Sequence, residues 1–185
     1  MENKEIKDKK NYKVYFKKLN ENGVMPKKFD FHSVAYDLYV PDDIVVPAHS
    51  RFVVPLGISI SLPIGIEAKI EPRSGYSAKG MNGFAIDVRT VKFLGIPYKK
   101  IVKQRRYFDA DVITGKIDPG YIGEIGVILR NNDISFVIGK GTRIAQLTLY
   151  HFFNMEFKEV ENLNGYDRGG GFGHSNTEEH DKDIC

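Results

Sequence analysis

The chain has no tryptophan, and its single cysteine, Cys185, is the last of 185 residues. No disulfide can form within it and no thiol cluster can hold a metal, a usage that suits a reducing compartment. A cytoplasmic location is expected, or the nucleus or host cytoplasm for a eukaryotic or viral source. Long apolar runs are missing too. None approaches the roughly 18 residues of a membrane span, so no membrane attachment is expected. Met1 to Lys10 is charged and lacks the apolar stretch of a secretory signal. The five histidines lie scattered, without the spacing of zinc ligands. Nor does one sign of charge dominate: the formal net charge is +3, too little to argue for nucleic-acid binding.

What is present points to one domain with a real core. Residues 1–11 read as a disordered arm. From Tyr12 the pattern is β. Val14, Phe16 and Leu19 begin it, and Asp37 to Val40 looks like a strand. Arg51 to Leu62 ends in alternation at Ile58, Ile60 and Leu62, and Ile66, Ala68 and Ile70 resume it after Pro63-Ile64-Gly65. Ile125 to Leu129 and Ile144 to Phe153 read as further strands, with a turn at Asn131-Asn132-Asp133. Many short strands with regular turns imply a sandwich, jelly roll or barrel. Between Tyr98 and Phe108 helix and strand both fit the pattern. Residues 164–185, rich in Gly, Asn, Asp and His, are expected to form a mobile arm. Charge is unevenly placed: residues 88–106 carry seven basic side chains and no acidic one, and Glu178, Glu179, Asp181 and Asp183 crowd the tail.

Five segments carry chemistry. Ala35-Tyr36-Asp37-Leu38 opens the series. In Pro72-Arg73-Ser74-Gly75, expected to end a strand and enter a loop, Arg73 offers planar donors for phosphate oxygens, Ser74 a hydroxyl, and Gly75 room for close backbone approach. In Gly115 to Glu124 a carboxylate, Asp118, precedes a ring, Tyr121, by three residues within an Asp-Pro-Gly turn. The carboxylate can take a proton from water, the ring can pack on a flat or alicyclic group, and Gly115 lets main chain reach a base edge. Gly141 to Gln146 opens a strand in which Gln146 can face a ligand and Arg143 can pair with Asp37. Arg168 to Ser175 sets Arg168 and Phe172 in a glycine strip able to fold over an anion, with stacking worth about 1–3 kcal/mol per base. It is not a Walker loop.

In this order the segments resemble the five motifs of the trimeric dUTP pyrophosphatases (dUTPases), over roughly residues 12–176. The resemblance implies an all-β, jelly-roll-like (β-clip) fold and a homotrimer whose three sites are shared between subunits. It implies hydrolysis of dUTP to dUMP and pyrophosphate. Asp118 would activate the water that attacks the α-phosphorus. Tyr121 would pack under the deoxyribose and exclude a 2′-hydroxyl, and Gly115, Lys116 and Ile117 would bind uracil. Arg73, Ser74, Gly75 and Gln146 would hold phosphates, with Asp37 and Arg143 structural at the site. Arg168 would reach the γ-phosphate from a neighbouring chain, while Phe172, Gly173 and Ser175 close over the nucleotide. Mg2+ would ride on the triphosphate and water, with no direct protein ligand.

The chain departs from the family pattern in four places. Val34-Ala35 stands where Ala-Gly is usual, Val112 where an Asn is often found, and the last motif is one residue shorter between Arg168 and Phe172. An insertion of about residues 87–111 separates the second and third motifs, as in a phage-type member. It reads as a solvated excursion or as a docking arm for a partner protein or nucleic acid, so a nucleotide-gated regulatory protein is an alternative function. A second alternative is dCTP deaminase, which shares the fold. That family needs a Glu at the position of Ile128 and an Arg at that of Ala78.

Overall fold

The computed structural model describes residues 12–166. They divide after Phe153 into two units. In chain order the first unit contains β1 (Tyr15–Lys18), β2 (Tyr36–Tyr39), β3 (Ile44–Val46), β4 (Ser50–Pro55), β5 (Ile58–Ser61) and β6 (Ile66–Glu71). A single helical turn and a half, α1 (Ser74–Lys79), follows. Then come β7 (Met81–Phe93), β8 (Ile96–Phe108), β9 (Ala110–Ile113), β10 (Gly115–Ile117), β11 (Gly126–Asn131), β12 (Phe136–Ile138) and β13 (Arg143–His151). The strands pair antiparallel in four sheets, ordered β1-β5, β10-β6-β13-β2, β4-β11-β9 and β3-β12-β7-β8. This is the jelly-roll-like, all-β architecture. No described helix is long and apolar enough to cross a membrane.

Alternation builds the core. Ile66, Ala68 and Ile70 of β6 are buried, while Glu67, Lys69 and Glu71 between them are not. Leu38, Val54, Ile58, Val127, Leu129, Ile144 and Leu147 join one continuous cluster. A strand's successive side chains point to opposite faces, so this sheet has one apolar and one polar side. A bulge between Arg143 and Ala145 shifts β13 against β2, which places Ile144 and Ala145 in the core consecutively and leaves Gln146 beside Asp37.

The basic segment that was open to a helical or a strand reading is β8. It pairs with β7 without interruption from Met81↔Phe108 to Phe93↔Ile96. Ladder bonds along thirteen residue pairs override the local helical spacing of Ile101, Val102 and Arg105. The root of this hairpin is anchored: Met81 and Phe108 are buried, and Phe108 stacks on Phe136 with ring centroids 4.2 Å apart. Gly83 is required there, since a Cβ would lie 2.6 Å from the Phe136 ring and 2.9 Å from the Val137 carbonyl. Outward from Ile86 the residues are mostly exposed.

Two expectations need correction. Residues after Arg73 do not enter a loop; they form α1, with Arg73 as N-cap in extended conformation. The stretch Arg51 to Leu62 is two strands, broken at Gly57, whose φ of 64° is left-handed. In the second unit, residues 154–166 are exposed and carry no helix or strand.

Candidate active site

One cavity of about 840 Å³ opens where β2, β6 and β13 end together. Its central feature is Asp37, on β2 and largely buried. Arg73 Nε donates to one carboxylate oxygen at 3.1 Å, and a terminal guanidinium nitrogen of Arg143 donates to the other at 3.2 Å. Arg73 also reaches the Arg143 carbonyl at 3.5 Å. The sheet order explains the convergence: β13 lies between β6 and β2, and Gln146 stands opposite both Asp37 and Glu71. Ser74, Gly75 and Gln146 line the same cavity. As first residues of α1, Ser74 and Gly75 have no intrahelical acceptor for their N–H groups. A Cβ at Gly75 would meet nothing within 4 Å, so the backbone there is open to approach.

Four cations (Arg73, Lys79, Arg105, Arg143) and one carboxylate (Asp37) line this cavity. Its balance is positive, which suits a polyanion. Of the lining residues, Lys79, Asn82, Phe84, Arg105, Tyr107 and Thr148 were not anticipated. In sequence Arg105 belongs to the basic insertion; only the register Phe84↔Arg105 brings it back to the cavity.

The third motif forms a second, smaller cavity of about 170 Å³. Gly115, Lys116, Ile117, Tyr121 and Ile128 line it. Asp118 to Tyr121 is a turn closed by the Tyr121 N–H on the Asp118 carbonyl at 3.0 Å. The Tyr121 hydroxyl donates to the Glu124 carbonyl at 2.7 Å, which lays the ring over Gly123. Asp118 is exposed, and Tyr121 is 47% exposed. A Cβ at Gly115 would meet nothing within 4 Å, leaving that edge accessible. Lys116 pairs with Glu67 at 2.8 Å. The Lys116 side-chain hydrogen bond, aided by its charge, holds the Glu67 carboxyl below its usual range. The same bond, then the Glu67 charge, raises Lys116.

Asp118 and Arg73 lie towards opposite ends of β6. Ile117 pairs with Ala68, and Arg73 is five residues further on. At about 3.4 Å per residue of extended chain, Ala68 and Arg73 are about 17 Å apart, several times hydrogen-bond reach. One chain therefore does not bring Asp118 to Arg73, and Tyr121 lines the smaller cavity whereas Ser74, Gly75 and Gln146 line the larger one. Arg168, Phe172, Gly173 and Ser175 lie outside the described residues. Where a deaminase needs its general base, Ile128 presents an apolar wall, and Ala78 is exposed on α1. Glu124, the carboxylate beside that wall, already accepts the Gly57 N–H at 2.8 Å. Among the described residues, no three His, Cys, Asp or Glu side chains cluster as a metal site would.

The dUTPase family model matches residues 21–92 and 105–176 and leaves only 93–104, around the hairpin tip, unmatched between them. The deoxyuridine 5′-triphosphate nucleotidohydrolase of Oryza sativa subsp. japonica is 35% identical over 159 residues, covering 85% of this chain and 77% of its own length. That of Syntrophotalea carbinolica is 32% identical over 166 residues, covering 88% and 95%. Among solved structures, a variant of the Staphylococcus bacteriophage 80alpha dUTPase with dUpNHpp superposes with a TM-score of 0.68 at 23% identity, covering 88% of this chain and 98% of that one. The phage phi11 dUTPase of S. aureus, described with a structural Mg(II) ion, gives 0.65 at 21%, covering 83% and 99%. With the motifs in order, the fold matched and most of the chain covered, this chain belongs to the dUTPase family.

Proposed function

We propose that the chain hydrolyses dUTP to dUMP and pyrophosphate in a homotrimer, with Asp118 activating the attacking water. The observation that carries this reading is the separation of two half-sites along β6. An anion-binding cavity built on Asp37, Arg73 and Arg143 lies at one end, and an exposed carboxylate beside an exposed ring lies at the other. Each is incomplete, and a second copy supplies what the first lacks. The alternating exposed Phe153, Met155 and Phe157 support association, because large apolar side chains in strand period gain by burial against another chain.

In the completed site Arg73, Ser74, Gly75 and Gln146 hold the phosphate chain. The cavity around Gly115 to Ile117 takes uracil edgewise, and Tyr121 lies beneath the deoxyribose. Asp118 accepts a proton as water oxygen bonds to the α-phosphorus. The bond from that phosphorus to the bridging oxygen breaks, and pyrophosphate departs with the electron pair. Positioning and charge stabilisation carry the rate, with no covalent intermediate. A Mg2+ would be held through phosphate oxygens and water, with no direct protein ligand. Bound there, such an ion offsets charge on the phosphates. Arg168 and Phe172 would close over the γ-phosphate and the base, excluding water from the site.

The direct test measures pyrophosphate release from dUTP, dCTP, dTTP and UTP, with ammonia assayed in parallel. Rapid release from dUTP alone, without ammonia, is the expected result. Ammonia from dCTP, or equal turnover of all four, would overturn the assignment.

A further inference from the structure

The anion-binding cavity has one wall outside the five motifs. Asn82, Phe84, Arg105 and Tyr107 form it, from the root of the β7–β8 hairpin. The pairs Asn82↔Tyr107 and Phe84↔Arg105 place all four side chains on one face of the ribbon. Arg105 is built differently from the other two arginines of the cavity. Arg73 and Arg143 share the Asp37 carboxylate. Arg105 instead donates from Nε to the neutral Asn82 Oδ1 at 2.9 Å, and no carboxylate pairs with it among the described residues. Its plane is thus oriented by Asn82, its terminal nitrogens remain available, and its charge is uncompensated. The position is steady as well: Arg105 lies three residues from the buried Phe108 and opposite Phe84, next to the tight Gly83–Phe136 crossing.

Building on the dUTP reading above, we propose that Arg105, oriented by Asn82, is a substrate-binding residue that takes the pyrophosphate portion of the triphosphate. The hairpin root is then a wall of the active site and not only an appendage to it. A planar guanidinium with two free donor edges suits phosphate oxygens, and the terminal phosphates carry the most charge.

The test compares the full-length wild type with Arg105→Gln, Arg105→Lys and Asn82→Ala. Arg105→Gln is expected to raise KM for dUTP about tenfold, about 1.4 kcal/mol, with kcat within about twofold. Inhibition by inorganic pyrophosphate should weaken by a similar factor, while inhibition by dUMP stays unchanged. Arg105→Lys should recover part of the loss, and Asn82→Ala should show a smaller loss of the same kind. A double Lys99→Ser, Lys100→Ser change on the outer hairpin should leave all constants as they are. Wild-type KM and pyrophosphate inhibition in Arg105→Gln would overturn the proposal. So would equal weakening toward dUMP and pyrophosphate, which marks general damage to the cavity, or an equal loss in the Lys99/Lys100 variant, which marks a diffuse field. If the wild type does not hydrolyse dUTP, the preceding reading falls instead. Calorimetric titration with pyrophosphate alone then still decides Arg105: affinity equal in wild type and Arg105→Gln rejects it.

Discussion

The two ends of β6 are made by opposite means. At the Arg73 end three strands converge, and a largely buried carboxylate clamps two guanidinium groups in place. At the other end the short edge strand β10 runs into an Asp-Pro-Gly turn whose acid and ring are both exposed. The clamp of the first arrangement is closed within one chain. The second is tied by a turn bond, by the Tyr121 hydroxyl on the Glu124 carbonyl, and by bonds from Ser59 Oγ to the Ile122 carbonyl and from the Gly57 N–H to the Glu124 carboxylate. Groups that bind a fixed pattern of phosphate oxygens gain from a rigid frame, whereas a base must be reached by water and by a substrate held elsewhere.

Asp118→Asn gives the sharpest break. Turnover should fall by about 10²–10⁴-fold, the usual contribution of a positioned base, while calorimetry shows dUTP affinity retained. Robust residual turnover would remove the proposed role of this residue. Asp37→Asn attacks the clamped end. It leaves two arginines without their shared charge in a partly sheltered site, so stability should drop by about 1–3 kcal/mol, read from the urea midpoint, together with a higher KM. If only KM changes, the clamp serves binding and not the fold. Tyr121→Ala should lower the preference for dUTP over UTP by about tenfold or more; an unaltered ratio of kcat/KM values would contradict the steric role.

The gentlest probe is Lys116→Met. Glu67 is held below its ordinary value chiefly by the Lys116 hydrogen bond, so the stability it contributes is present above the unfolded glutamate value of about 4.3 and is lost as pH falls through the lowered one. Lys116 is raised, so its contribution is complete below the ordinary lysine value and fades as pH climbs through the raised one. The variant should flatten the acidic and alkaline limbs of thermal stability against pH, read from thermal midpoints across the pH range.

Much of this was legible before any coordinates. Ile66, Ala68 and Ile70 announced β6 because burial of one sheet face leaves a period of two. The Asp-Pro-Gly turn was equally plain. α1 was not, since Ser-Gly-Tyr-Ser-Ala-Lys is too short for a helical period to show and its capping residue, Arg73, makes no side-chain cap bond. Tyr98 to Phe108 stayed ambiguous because exposed strands need not alternate. The bulge before Ala145, which aligns Gln146 with Asp37, leaves no local signature.

The sequence by itself determined the strand pattern, the order of five motifs and the family they mark, because these depend on residue type and short spacing. Only the tertiary structure decided that Asp37 holds both arginines, that the motifs divide between two cavities, and that Arg105 turns back to line the larger one. Those relations arise from which strands pair and in what register, and pairing between distant segments is set by the packing of the whole sheet.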